Sequence, residues 1–216
     1  IDAAHGEYVA FMGHDDMLSP AALQDVVDII SRDQPDILYT DETAFSDLDE
    51  KNDLGYFGTP RFKPDFSPDL LLSHNYITHL LVVRKSLIDN VGGPNSEFDG
   101  AQDYEFLLRL TERTDKVAHV PKPLYHCRQS TRSTSLDTTA MPQAHSKAAL
   151  ALEQALSRRR VKGEVLTANA PQYFRVRRDI TGCPLVSVII PFRDEPRLLQ
   201  RSISAVLERT NYSNIE

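Results

Sequence analysis

The side chains of this 216-residue sequence that could do chemistry are mostly carboxylates placed beside turns. Gly13-His14-Asp15-Asp16 sets two acids next to each other. Adjacent carboxylates repel, and the pair is explained if a hard divalent cation and a phosphate complete the site. The plainer alternative is a polar loop leading into the next helix. Asp41-Glu42 is a second pair. Asp103 lies in Gly100-Ala101-Gln102-Asp103-Tyr104-Glu105. A carboxylate held rigidly at a helix entrance and facing a cleft can take a proton from an incoming hydroxyl, or it can simply stabilise that helix end. His126 offers an imidazole of the kind that binds first-row metals. Arg128, Arg132 and Ser133 suit phosphate oxygens, unless this stretch is only a solvated edge strand and a linker. His79, inside an apolar run, reads as a hydrogen-bonded core histidine.

These groups need elements to hold them. Residues 8–12 form a short apolar run with aromatic and β-branched members, predicted as a buried strand. Ser19-Pro20 then reads as a capped helix start. Leu23, Val26, Val27 and Ile30 give that helix one apolar stripe, and Pro35 ends it. A second strand over residues 36–40 delivers Asp41-Glu42 to its carboxyl end. Strand, helix and strand predict a βαβ unit with parallel pairing, which puts Asp15, Asp16 and Glu42 on one rim of the sheet, where ligands of open α/β sheets bind. Residues 46–60 read as a loop and Ser67-Pro68 as another capped helix start. Residues 77–83 read as a strand, and 85–91 as a helix closed by Gly92-Gly93. Gly100 marks a turn into a helix whose apolar face is Phe106, Leu107 and Leu110, with Asp103 in its first turn. Residues 116–120 and 124–128 are predicted as two short strands split by Pro121 and Pro123, and 130–139 as a flexible loop over the site. A helix over 142–160 with a stripe of Ala149, Leu152 and Leu156 precedes two edge-type strands over 161–168 and 173–178. Residues 185–191 are the most strand-like stretch of all, followed by a helix over 197–209. That is a fresh βα start.

Composition narrows the classes. Hydrophobic residues make up 41% and charged residues 25%, the profile of a globular protein able to bury a core. The net charge of -7, without a basic stripe interleaved with aromatics, argues against nucleic acid as a partner. No apolar run approaches the roughly 18 residues of a membrane span. Cys127 and Cys183 are far apart, suggesting neither a disulfide framework nor a metal-ligand pair. Both ends of the sequence look cut from something longer.

Taken together, these stretches resemble family 2 glycosyltransferases, the inverting, nucleotide-sugar-dependent group with the GT-A fold. Gly6-Glu-Tyr-Val-Ala-Phe-Met-Gly-His-Asp-Asp resembles the family's strand and metal-binding acidic motif, although the family usually has an Asp where Gly13 stands. The stretch from Phe62 to Ile77, together with Gly100-Ala-Gln-Asp-Tyr-Glu, resembles the acceptor-side segment and the catalytic-base motif. Tyr125-His-Cys-Arg and Arg132-Ser-Thr resemble the segment that closes on metal and diphosphate, and Pro184-Leu-Val-Ser-Val-Ile-Ile-Pro-Phe-Arg-Asp resembles the family's N-terminal strand. The resemblance implies an α/β fold, a GT-A (Rossmann-like) mixed sheet flanked by helices, with an incomplete nucleotide-binding half. Residues 1–167 would be the acceptor-side, catalytic half of one domain, 168–183 a linker, and 184–216 the first βα unit of a tandem second domain; a circular permutation is the rival arrangement.

The implied reaction is inverting transfer of a sugar from a nucleoside diphosphate sugar to a hydroxyl of a glycan or lipid-linked glycan, in cell-surface polysaccharide synthesis. Asp103 would be the general base. Asp15 and His126 would hold Mg²⁺ or Mn²⁺, and His14, Asp16, Arg128 and Ser133 would bind the donor and its diphosphate, Asp16 beside the metal or the sugar. Glu42 and Gln102 would lie on the acceptor side. The implied placement is cytoplasmic, with peripheral attachment at the inner membrane face of a longer protein as a variant, and a domain-swapped dimer through 184–216 as one assembly. Two other readings are a non-catalytic half that binds sugar nucleotide or glycan, and a Mg²⁺-dependent phosphatase built on Asp15 and Asp16.

Overall fold

The computed structural model describes residues 1, 3–46, 56–128 and 141–216. They divide into two units, Ile1–Arg178 and Asp179–Glu216. In the first, chain order is β1 (Tyr8–Phe11), β2 (Met17–Leu18), α1 (Ala22–Asp33), β3 (Ile37–Ser46), β4 (Tyr56–Phe57), α2 (Pro68–Leu71), β5 (Leu81–Arg84), α3 (Lys85–Val91), a 3-10 turn (Ser96–Phe98), α4 (Gln102–Leu110), β6 (Val117–Arg128), α5 (Met141–Arg158), β7 (Gly163–Thr167) and β8 (Phe174–Arg178). The architecture is α/β, a mixed sheet flanked by helices, with strand order β1-β5-β3-β6-β2 and β4 on the far end of β3.

Alternation along the central strands separates the two layers of the core. Ile37, Tyr39, Leu81 and Val83 belong to the cluster shared with α3, α4 and α5, whereas Leu38 and Val82 join the opposite one with Ala22 and Val26 of α1. Both strands are buried on both faces, which is why their sequences are nearly continuous runs of apolar residues.

Several elements differ from the sequence reading. The strands flanking α1 run in the same direction but do not pair, because β5 lies between them, antiparallel to both. This leaves β1 at the edge and only half-buried. Helix α1 begins at Ala22 without a side-chain cap, three residues after Ser19. Its buried stripe starts with Ala22 and Val26, while Leu23 and Val27 are exposed. Strand β3 continues to Ser46, so Asp41 and Glu42 lie in mid-strand and are buried rather than standing at its carboxyl end. Of the apolar run 77–83 only residues 81–83 enter the sheet, as part of β5. The two proline-separated strands are one, β6, parallel to β3; the ladder steps from Thr40↔Val120 to Asp41↔Pro123 through a register shift, since proline cannot donate to a ladder and is accommodated at irregularities. The expected loops at 46–60 and 130–139 fall largely or wholly outside the described residues.

Other expectations hold. Ser67 Oγ accepts from Leu70 N–H at the start of α2, with Pro68 in the first turn. Gly92 closes α3 with φ 83°, and Gly100, at φ 89°, turns the chain into α4. Helix α5 buries Ala148, Ala151, Leu152, Ala155 and Leu156, and β7 and β8 form an antiparallel hairpin.

In the second unit, α6 (Pro196–Arg209) forms as predicted but buries none of its residues. The stretch 185–191 is not a strand: it makes one parallel bridge, Val186↔Ile215, and Ile189 and Phe192 are exposed. A strand needs a continuous ladder, and here the backbone bonds join only Val186 and Val188 to Asn214 and Glu216.

Candidate active site

Two groups of side chains are assembled at one end of the sheet. The first is built on the Gly13–Asp16 turn, which β2 fastens to β6 through Met17↔His126 and Leu18↔Tyr125. Asp16 is bound into the fold. Its carboxylate accepts from the Tyr125 hydroxyl and, at 2.8 Å, from the Arg128 backbone N–H. The same hydroxyl accepts from Gly13 N–H at 2.9 Å, and burial drives the Tyr125 phenol pKa well upward, reinforced by its bond to Asp16. A side chain at position 13 would crowd this arrangement, because its Cβ would lie 2.3 Å from Asp16 Oδ2. Asp15 is the accessible member of the pair, its side chain 41% exposed, with His14 Nδ1 3.7 Å away. Arg128 Nε donates to the Asp15 carbonyl at 2.7 Å, and its guanidinium lies 4.6 Å over the Phe45 ring. His126 packs edge-on to Phe57.

The chemistry of this donor set fits a divalent cation. Asp15 supplies an accessible carboxylate. His126 Nδ1 is buried without a hydrogen-bond partner among the described residues, and burial lowers the ring's pKa, favouring the neutral form that ligates metals. Ser133 lies outside the described residues.

The second group surrounds a cleft of about 920 Å³ that Glu42, Gln102 and Asp103 line. Asp103 is exposed in the first turn of α4. Gln102 Oε1 accepts from Gly100 N–H at 2.6 Å, closing the turn before it. Glu42 is otherwise placed than a free acid would be. Its carboxylate takes Lys63 Nζ at 3.0 Å, Arg61 Nη1 at 2.6 Å and the Thr78 hydroxyl at 2.7 Å. Burial pushes the Glu42 pKa up, but Lys63 and Thr78 outweigh it and leave the carboxyl below its ordinary value. Lys63 also donates to the carbonyls of Ile77 and His79. Asp41 completes the fastening. Its Oδ1 accepts from Lys63 N–H and contacts His119 Nε2, each at 2.9 Å, while Tyr39 donates to the Pro64 carbonyl. The buried acids of β3 thus hold residues 61–65 as one wall of the cleft.

His79 stands between the two groups. It stacks on Tyr125 at 4.8 Å; burial lowers its pKa, and the charges of Glu42, Asp16 and Asp103 all oppose that shift. The cleft lining itself does not include Asp15, Asp16 or His126. Glu42, His79 and Cys127 bring ligand-type atoms within 4.8 Å of one another, but Glu42 is already neutralised by Lys63, and burial pushes the Cys127 thiol up to about 12. Lys63 Nζ already occupies Glu42 Oε2 there.

Sequence reasoning quoted Lys63 and Tyr125 within longer motifs but gave neither them nor Thr78 a role of its own, since their importance lies in distant partners. Among the described residues, no helix is long and apolar enough to cross a membrane.

No family profile matches the sequence. The chain is 39% identical over 215 residues to a Myxococcus xanthus protein named O-antigen biosynthesis protein RfbC, covering 99% of this chain and 16% of that protein. It is 38% identical to the uncharacterized protein y4gI of Sinorhizobium fredii, covering all of this chain and 24% of that one. A Haemophilus influenzae protein named as an uncharacterized glycosyltransferase matches 64% of this chain and 48% of its own length at 24% identity. The chain thus spans a minor part of each of these relatives. Among solved structures, S. aureus TarS 1–349 in complex with UDP-GlcNAc superposes with a TM-score of 0.54 at 17% identity, covering 72% of this chain and 44% of that one; the likeness is one of fold.

Proposed function

We propose that this chain is the acceptor-side, base-bearing part of a family 2 glycosyltransferase of GT-A fold, which moves a sugar from a nucleoside diphosphate sugar to a hydroxyl with inversion. The observation that carries the reading is the set of contacts made by His79: its ring stacks on Tyr125, which holds Asp16 of the Asp15–Asp16 turn, and its carbonyl accepts from Lys63, which lines the cleft that also exposes Asp103. Inverting transfer needs such a division, a base at the nucleophile and positive charge at the leaving group. The names of the RfbC and Haemophilus relatives point the same way, and assembly of a surface polysaccharide is the process we assign.

Asp103 accepts the proton of the acceptor hydroxyl as its oxygen bonds to the anomeric carbon and the bond to the diphosphate breaks. Gln102 keeps the turn before Asp103 closed, and Glu42, with Lys63 and Arg61, fixes the opposing wall. On the donor side, Tyr125 and the Arg128 N–H hold Asp16, which sets the pose of Asp15 and leaves the Arg128 guanidinium beside the turn. Asp15 and His126 would hold a Mg²⁺ or Mn²⁺ ion, which would supply charge neutralisation for the diphosphate leaving group. His14, Arg128 and Ser133 are proposed contacts of the donor diphosphate, and Asp16 is proposed to sit beside the metal or the donor sugar. Residues 184–216 are proposed as the opening βα unit of a further domain, and the longer protein as cytoplasmic.

The test is sugar transfer by the longer protein that contains this chain, with nucleotide release as readout. Asp103→Asn should lower kcat by about 10²–10⁴-fold while donor binding, read by calorimetry, is retained. Unchanged turnover would remove Asp103 as the base. Lost transfer in the parent itself, with glycan binding intact, would favour a non-catalytic glycan-binding module.

A further inference from the structure

The cleft does not end at Asp103. A groove of about 570 Å³ adjoins it between the Ser96–Phe98 turn and the first turns of α5, and Asp99 and Gln143 line both spaces. Its far walls are Ser96 and Glu97 on one side and Ser146 and Lys147 on the other. The two helical pieces are kept close by Gly100, where an added Cβ would stand 3.1 Å from that of Ala144, so the channel is part of the packed fold.

Size and lining both speak to the ligand. Small-molecule sites usually enclose about 300–1,000 Å³; the cleft alone reaches the upper part of that range, and the adjoining groove adds to it. The lining is rich in uncharged hydrogen-bonding groups, with Asn75, Gln102, Gln143 and Gln172 in the cleft and two serines in the groove. Flat apolar surface is present as well. Phe62 is 74% exposed and Tyr173 44% exposed, both on the cleft, and Tyr173 is steadied by stacking on His74 at 4.5 Å. Aromatic faces beside amide and hydroxyl groups match the apolar faces and hydroxyl edges of sugar rings. Arg61 and Lys63 share the single charge of Glu42, which leaves one positive charge over; with Lys147 that makes two against Glu97, Asp99 and Asp103, so the lining is negative by one charge, which disfavours an anionic chain.

From this shared lining of cleft and groove we infer that the acceptor binds as an uncharged oligosaccharide of several residues: its terminal hydroxyl at Asp103, its body running past Asp99 and Gln143 towards Ser146. The inference rests on the transfer reading for the direction of the chain, but the channel's choice of ligand stands on its own lining.

The experiment is binding of the full chain to an array of oligosaccharides one to six residues long, both neutral and uronate-bearing. Neutral probes should bind more tightly with length up to about three or four residues, and uronate-bearing probes of equal length more weakly. Ser146→Phe and Ser96→Phe, at exposed positions on opposite walls, should weaken tetrasaccharide binding at least tenfold and leave the melting temperature unchanged. Length-independent binding, a preference for uronate-bearing probes, insensitivity to both phenylalanines in folded protein, or no binding at all would overturn the inference. Transfer to monosaccharide and oligosaccharide acceptors with equal efficiency would overturn it while leaving the glycosyltransferase reading intact. Length-dependent binding without any transfer would do the reverse.

Discussion

Replacing Lys63 with methionine should expose how the cleft wall is held. The Lys63 and Glu42 side chains are 5% and 3% exposed and meet at 3.0 Å. At an effective dielectric near 20 their attraction is about 5 kcal/mol, before the cost of desolvating both charges. Removing one partner of such a pair leaves the other buried, typically a loss of about 3–5 kcal/mol. Arg61 and Thr78 still contact Glu42, but the Arg61 side chain is 74% exposed and compensates weakly, so the middle of that range is expected. For a chain of this size, a loss of about 4 kcal/mol lowers Tm by about 8–16 °C. In the parent, Glu42 has a lowered pKa, so its stabilisation is present above the unfolded carboxyl value and is lost as pH falls through the folded one. In Lys63→Met burial acts without the ammonium and the carboxyl pKa rises, so the deficit should be largest at neutral pH and shrink as pH falls towards 5. The double variant Lys63→Met/Glu42→Gln removes the stranded charge and should recover about 2 kcal/mol. Thermal melts and guanidinium titrations at pH 7 and 5 measure all of this. A single-variant cost under about 1 kcal/mol, or strict additivity in the double variant, would refute the argument.

Two further outcomes follow from the same geometry. Tyr125→Phe deletes a hydroxyl that serves both Asp16 and Gly13 N–H and should cost about 2–3 kcal/mol, since one of the two bonds is to a charged group; hydrogen exchange at the Gly13 amide should speed up at least tenfold, and an unchanged rate would mean the turn is held otherwise. Gly100→Ala forces a side chain into a left-handed backbone, at φ 89°, and against Ala144, for a loss of about 1–3 kcal/mol; a melt within 0.5 kcal/mol of the parent, an order-of-magnitude threshold for a neutral surface change, would show that α5 can give way.

Local chemistry was readable where the signal and its effect are adjacent in the chain. Ser67-Pro68 caps α2, Gly100 turns into α4, and Asp103 stands in that helix's first turn, because each depends on backbone geometry within a few residues. Which apolar stripe of α1 is buried was not readable. Leu23 and Val27 share a helical spacing with Val26, and only the position of the sheet decides which side faces it.

The sequence by itself determined the acids, the turn before Asp103 and the helices beside them, along with enough apolar runs to build a core. Tertiary structure decided what each acid does. By inserting β5 between β1 and β3 and carrying β3 on through Asp41 and Glu42, the fold buries that pair and leaves Asp103 open to the cleft. A carboxylate's role depends on the charges and solvent around it, and those come from residues far off in the chain: Lys63 for Glu42, Tyr125 and Arg128 for Asp16.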